Sequence, residues 1–261
     1  MLIDFVKMQA QGNDFVILDH PGAALLNEDL SALAIAICDR HYGFGADGLV
    51  ILTNSVTADA RMIIYNSDGS RAAMCGSALR CLTRLQSKRT GRHCFELETD
   101  SGIKTCRLEP DDVCTVGLGK PQMLDANKQV DEFKGSLVDV GNLHYVVYTN
   151  DLSEAPHLLF GARLERHPAF PGAVNVHFAK LEDPQTITLK IWETGAGATL
   201  ACGTGATAAV MSGILNHGLR DSVTVRMPGG EVRVSRDLPG GNFELSGKVF
   251  HIGTGQFKWK I

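Results

Sequence analysis

A short motif that occurs twice constrains this chain more than any other feature. Ile64-Tyr65-Asn66-Ser67-Asp68-Gly69-Ser70 runs on through Met74 to Cys75-Gly76-Ser77-Ala78. Ile191-Trp192-Glu193-Thr194-Gly195-Ala196-Gly197 runs on through Ala201 to Cys202-Gly203-Thr204-Gly205. In each copy a strand-like run passes into a Gly-containing loop. Nine residues after an Asn or a Glu, Cys-Gly-[Ser/Thr]-small then opens a helix-like run. The copies stand 127 positions apart (202 − 75), and Gly12-Asn13 and Gly141-Asn142 pair at 129 (142 − 13). Two unrelated matches at nearly one offset mark a duplicated unit whose halves meet near residue 117. The expected division is residues 1–116 plus 250–261, carrying Cys75, and residues 117–249, carrying Cys202.

Short β-like runs dominate both halves. Residues 5–8, 15–18, 49–52, 62–65, 138–140, 186–192 and 223–227 are rich in β-branched or aromatic residues and bounded by Gly, Asn or Asp. Residues 96–99 and 104–108 read as a hairpin around Asp100-Ser101-Gly102, and 223–227 and 231–235 as another around Pro228-Gly229-Gly230. Leu30, Leu33, Ala34, Ile37 and Cys38 follow helical spacing. Residues 76–85 and 204–216 predict two more helices. The last is small and apolar on nearly every side, as suits a helix enclosed by sheet. Strands and helices do not alternate regularly, which predicts an α+β fold rather than a doubly wound parallel sheet.

Composition excludes several classes of function. The 261 residues carry a formal charge of −4 with a pI near 6.1 and no Lys/Arg run, which argues against a nucleic-acid partner. No apolar stretch approaches the ~18 residues of a membrane span. The first residues show no signal-peptide pattern, so a cytoplasmic location is expected. The seven cysteines fall in no spacing typical of zinc ligands, so no metal is expected. Cys38, Cys81, Cys94, Cys106 and Cys114 read as small core hydrophobes. Gly43-x-Gly45-x-x-Gly48 matches a dinucleotide fingerprint in letters, yet a helical pattern precedes it and a strand follows, the reverse of what phosphate binding requires.

Cys75 and Cys202 differ from the other thiols because each stands where a helix begins. The first amides of a helix lack intrahelical partners and lie at the positive end of its dipole. Such a place is expected to lower a thiol's pKa and to receive a carboxylate. Two such thiols on opposite faces of an amino acid would invert its α-carbon, one thiolate removing a proton while the other thiol delivers one. Helix-start amides would stabilise the charge growing on the substrate carboxylate. No lysine motif for pyridoxal phosphate is evident, so the expected chemistry needs no cofactor.

At these residues the chain resembles the diaminopimelate epimerase family from end to end. Gln11-Gly12-Asn13-Asp14-Phe15 is similar to its N-terminal segment, and Cys38-Asp39-Arg40 with residues 43–48 to its second motif. Asn66 to Cys81, Gly141-Asn142-Leu143-His144, Val174-Asn175 and Trp192 to Gly205 follow in family order. The resemblance implies two pseudo-symmetric halves, each a curved, mostly antiparallel sheet around a central helix, and a homodimer. It implies interconversion of LL- and meso-diaminopimelate for lysine and peptidoglycan synthesis. By position, Cys75 and Cys202 match the acid/base pair, and His144 and Glu193 match residues that assist the thiols. Asn13, Asn66, Asn142 and Asn175 match asparagines that bind substrate polar groups. Gly76, Ser77, Gly203 and Thr204 match the helix-start amides.

The departures from the family lie in substrate recognition. Thr194 stands where the resemblance implies an Arg for the substrate's distal carboxylate, and Thr forms no bidentate ionic clamp. Ser77, Ala78 and Leu143 also differ from the family pattern. Either Arg71 supplies the missing charge, or the substrate is another amino acid. A Cys–His hydrolase leaves the duplication unexplained, and a non-catalytic amino-acid-binding scaffold is the remaining alternative.

Overall fold

The computed structural model describes residues 1–259. The chain divides into two compact units, Met1–Val116 with the segment from Gly247 onward, and Gly117–Ser246.

The first unit begins with β1 (Leu2–Ala10) and β2 (Asn13–Asp19), an antiparallel hairpin turning at Gln11-Gly12, where both residues have positive φ (51° and 81°). That is the turn sign that matches the right-handed twist of the strands. Two helices follow, α1 (Ala23–Leu26) and α2 (Leu30–Cys38), the latter capped by Asp29, whose carboxylate accepts from Ala32 N–H at 3.0 Å. The chain then enters β3 (Gly48–Thr53), parallel to β2, and β4 (Ala60–Asn66), antiparallel to β3, with β5 (Arg71–Ala72) a short addition on β4. Helix α3 (Gly76–Thr90) crosses over to β6 (Cys94–Thr99), parallel to β4. The antiparallel strands β7 (Gly102–Leu108) and β8 (Val113–Gly119) complete the succession.

The second unit repeats this order. After β9 (Gln122–Val130) come the hairpin strands β10 (Phe133–Asp139) and β11 (Leu143–Tyr148). Helix α4 (Pro156–Glu165) crosses to β12 (Asn175–Asp183), parallel to β11, and β13 (Thr186–Trp192) returns antiparallel. Helix α5 (Gly203–Asn216) crosses to β14 (Ser222–Met227), parallel to β13, and β15 (Gly230–Arg236) and β16 (Phe243–Lys248) follow antiparallel. The last strand, β17 (Phe250–Lys258), pairs antiparallel with β1. Each unit is therefore an α+β sheet, mostly antiparallel, whose two parallel pairs are bridged by crossover helices, as parallel pairing demands.

The second crossover helix of each unit is the buried one. In α3, ten residues from Gly76 to Ser87 are buried, and the helix ends on Gly91 in the left-handed conformation (φ 73°). In α5, Gly205–Val210, Ser212 and Gly213 are buried. A larger residue would not fit at Gly213, where a Cβ would stand 2.3 Å from Leu219 and 2.4 Å from the Tyr148 hydroxyl. That close approach explains the small-residue composition noted in the sequence. Helix α3 extends five residues beyond its expected end. Helix α4 was not anticipated from its sequence at all.

Candidate active site

In the first unit Cys75 is the N-cap residue of α3, half-buried and extended (φ −144°, ψ 119°). The first intrahelical bond runs from Leu79 N–H to Cys75 O, so the amides of Gly76 and Ser77 lie ahead of the helical ladder. The Ser77 side chain is buried and its hydroxyl accepts from Arg80 Nη2 at 3.2 Å. Asn66 lies exposed at the end of β4, its carboxamide N–H donating to Ser70 Oγ at 2.9 Å. Asn13 opens β2, and its neighbour Asp14 is clamped by Lys7 at 2.5 Å and Arg40 at 2.9 Å. Arg40 also reaches Asp47 at 2.8 Å. This network holds the Asp14 carboxyl below the usual carboxylate range, against the opposing effect of burial.

In the second unit Cys202 is the N-cap residue of α5, with a matching extended backbone (φ −136°, ψ 112°). Its sulfur accepts from Gly205 N–H at 3.3 Å and lies 3.5 Å from Thr204 Oγ1. The expected acidification of this thiol is not found. Burial, followed by the Glu193 carboxylate, pushes Cys202 well above an ordinary thiol, and these outweigh the Thr204 hydroxyl and the Gly205 amide. Glu193 accepts from Thr199 Oγ1 at 2.5 Å, within a tight turn closed by paired Glu193 and Gly197 backbone bonds. That turn is anchored from α4, whose buried Glu165 accepts from Trp192 Nε1 at 2.8 Å and from Gly195 N–H at 3.1 Å.

His144 and Asn142 sit at the start of β11. Asn142 is exposed, and its Oδ1 lies 2.8 Å from His144 Nε2. The other ring nitrogen, Nδ1, lies 2.8 Å from Nε2 of His177, a residue that sequence reasoning missed. Both rings are fully buried, and burial holds both neutral, His177 down to about 3. His177 rests against the start of α5, where a Cβ on Gly205 would stand 2.3 Å from its Cε1. The ligand atoms of His144, His177 and Cys202 lie within 4.8 Å of one another. Two imidazoles and a thiol are a soft-metal donor set. However, the 2.8 Å contact aims His144 Nδ1 and His177 Nε2 at each other rather than at a shared centre. Buried His177 Nδ1 has no hydrogen-bond partner, whereas a ligating His ordinarily donates its second N–H. The geometry is that of a hydrogen-bonded pair.

Asn175 is buried and doubly engaged, donating to Leu143 O at 2.9 Å and accepting from Thr194 N–H at 3.1 Å. It ties β11 to the Glu193 loop. Thr194 itself is exposed. Arg71 does not stand ready as a substitute charge: its guanidinium grips Asp100 through Nε at 2.6 Å and Nη2 at 2.9 Å, and Arg61 meets the same carboxylate at 3.1 Å. Cys38, Cys81, Cys106 and Cys114 are buried as expected, whereas Cys94 is exposed at the start of β6. Gly48 opens β3 and α2 precedes the glycine loop, which is the wrong context for a dinucleotide site.

Two sheet-and-helix units, each with a cysteine capping its buried helix, form a fold that the chain shares with solved structures of other proteins, an epimerase among them. Over 98% of this chain and 92% of the other, it matches a hydroxyproline epimerase from Agrobacterium vitis (TM-score 0.72, 18% identity). Over 99% and 100% it matches a phenazine biosynthesis protein of the PhzF family from Bacillus anthracis (TM-score 0.77, 14% identity). Within that class the sequence is specific: the family model described as diaminopimelate epimerase matches residues 5–124 and 136–250. The diaminopimelate epimerase of Carboxydothermus hydrogenoformans is 38% identical over 99% of this chain and 98% of its own. That of Heliobacterium modesticaldum is 36% identical over 97% and 99%. The chain belongs to the diaminopimelate epimerase family, whose members are isomerases. Among the described residues no helix is long and apolar enough to cross a membrane.

Proposed function

We propose that this protein interconverts LL- and meso-diaminopimelate by moving protons between one α-carbon and two thiols, Cys75 and Cys202, without a cofactor. The observation that carries the reading is the duplicated placement of a cysteine at the N-cap of each unit's buried helix. Full-length similarity to diaminopimelate epimerases supplies the substrate.

In one direction Cys75 as thiolate takes the α-proton while Cys202 as thiol delivers one to the other face. In the reverse direction the roles exchange. The raised Cys202 thiol suits the donor role, because burial and Glu193 both favour its protonated form. Charge arriving on the substrate carboxylate would be met by the amides of Gly76 and Ser77 at α3 and of Gly203 and Thr204 at α5. Asn13, Asn66 and Asn142 would supply neutral hydrogen bonds to the amino and carboxylate groups, and Asn175 would hold the Glu193 loop. His144 acts through Asn142, to which it is bonded. The partner is a small-molecule amino acid. The protein works in the cytoplasm as a homodimer, and its seven cysteines, none of them in a disulfide, suit a reducing compartment.

A second reading keeps the chemistry and changes the substrate. It is favoured by the uncharged, exposed Thr194 and by the commitment of Arg71 to Asp100. Proton NMR in D2O with LL-diaminopimelate, beside a panel of other L-amino acids, decides between them. Loss of the α-proton signal with diaminopimelate is the expected result. Exchange confined to another amino acid would reassign the substrate, and no exchange with any of them would favour a binding scaffold. Sedimentation at several concentrations tests the dimer.

A further inference from the structure

Arg80 is the largest fully buried side chain among the described residues, 1% exposed. It runs back along α3 toward the helix's start, as helical side chains do. Its Nη1 donates to Gln11 Oε1 at 2.7 Å and its Nη2 to Ser77 Oγ at 3.2 Å, while Nε points to Gly76 O at 3.4 Å. Every one of these acceptors is neutral. Gln11 in turn donates to Lys248 O at 3.0 Å, which fixes it behind the guanidinium.

A guanidinium remains charged even in this setting, and burying it without a counter-ion is costly, several kcal/mol by general experience. An apolar side chain of similar length would avoid that cost. The charge therefore has a use at the first turn of α3, where the amides and the helix dipole already favour an anion.

Burial works against the Arg80 charge, and the ionisable groups whose charge would favour it are thiols: Cys81 on α3, Cys75 at the cap and Cys114 on β8. Burial pushes Cys81 far up and Cys114 up to about 12. On β7, burial likewise raises Cys106 to about 12. Further along the helix Arg84 is paired with Asp112 at 2.8 Å, with Lys248 adding to the field on that carboxylate. Burial keeps those deep thiols neutral, and Cys75, half-buried at the cap, is the accessible sulfur at this end of α3. The second unit has no counterpart: 127 positions on stands Thr207, buried and donating to Gly203 O at 3.0 Å. Its thiol has the Glu193 carboxylate nearby instead.

We propose that Arg80 is a positioning residue that holds negative charge at the start of α3 and so keeps Cys75 in its thiolate form before substrate arrives. This rests on the reading of Cys75 as an acid/base group, and it is tested without substrate. Alkylation of Cys75 by iodoacetamide is followed against pH by peptide mass mapping, which separates Cys75 from the exposed Cys94. In Arg80→Met the midpoint should rise by about one pH unit, so alkylation on the acid side slows about tenfold while rates converge at alkaline pH. Arg80→Lys should recover most of the loss. Gln11→Glu should shift the curve the same way as Arg80→Met, since a buried carboxylate would neutralise the guanidinium with the arginine still present. If Arg80→Met fails to fold, Gln11→Glu and Arg80→Lys decide the matter. Curves that overlay the wild type in the folded variants would overturn the proposal. Absence of diaminopimelate turnover would overturn the substrate reading and leave this one standing.

Discussion

At the scale of single residues, the buried His177 sets the hydrogen-bond polarity of its neighbours. Its Nδ1 has no partner, so a proton placed there would be an orphaned donor, which costs more than an under-used acceptor. The proton therefore sits on His177 Nε2 and is donated to His144 Nδ1. His144 then carries its own proton on Nε2 and donates to Asn142 Oδ1. Asn142 is left presenting its NH2 group outward, as a donor. His177→Leu should release this chain, raising the Michaelis constant about tenfold, the equivalent of one lost hydrogen bond. Nitrogen NMR of His144 should show mixed tautomers, and an unchanged tautomer would refute the assignment. The pair also couples to stability. His177 is depressed to about 3 in the folded chain against about 6.5 when unfolded. Its contribution is complete above about pH 6.5 and drains as pH falls toward 3, because the unfolded chain binds the proton first. Denaturation midpoints measured from pH 7 to pH 4 should fall, and fall less steeply in His177→Leu. Arg71→Ala, by contrast, should leave the Michaelis constant within about twofold, because its charge is already spent on a partly exposed ion pair.

At the scale of elements, the features with a strong local signature were legible and those defined by packing were not. The apolar spacing of α2, the small-residue run of α5 and the Gly-bounded hairpins all appear where the pattern places them. Helix α4 escaped because its apolar residues do not share a face: Leu158 and Leu159 are exposed while Leu164 is buried against the sheet. The duplication held the missing signal, since shifting residues 30–38 by 127 gives 157–165, nearly the whole of Pro156–Glu165. His177 hid in a strand buried on both faces, between Val176 and Phe178. Such strands lose the alternation that would single out a polar position. The thiol of Cys202 was misjudged because a helix start is visible in sequence, whereas its burial and the Glu193 contact are not. Gly205 shows the same dependence on packing. Gly205→Ala should drive a methyl into His177 Cε1, 2.3 Å away, and lower stability by about 1–3 kcal/mol. A melting temperature equal to the wild type would mean the ring moves freely, which would also weaken the fixed-tautomer argument.

At the scale of the whole molecule, each unit holds one cysteine capping one buried helix, together with its own apolar cluster. Neither unit alone contains a proton acceptor and a proton donor of the proposed kind, so inversion is expected to be a property of the whole chain. The asymmetry between the units is chemical: Arg80 is bonded within the first turn of the helix that Cys75 caps, whereas the Glu193 carboxylate raises the Cys202 thiol. A thiol carries a single proton, and the one it takes from substrate is exposed to exchange before it is used again. At early times in D2O the product should therefore carry deuterium at the inverted carbon while the remaining substrate carries none, in both directions. A single base that removes and returns the proton would label substrate and product alike. Cys75→Ala and Cys202→Ala should each abolish inversion while leaving the urea midpoint of the chain close to wild type, because Cys75 is only half-buried and Cys202 loses a single sulfur. Deuterium in the recovered substrate at early times, or full turnover by either single variant, would refute the two-thiol mechanism and leave the family fold without the chemistry proposed for it.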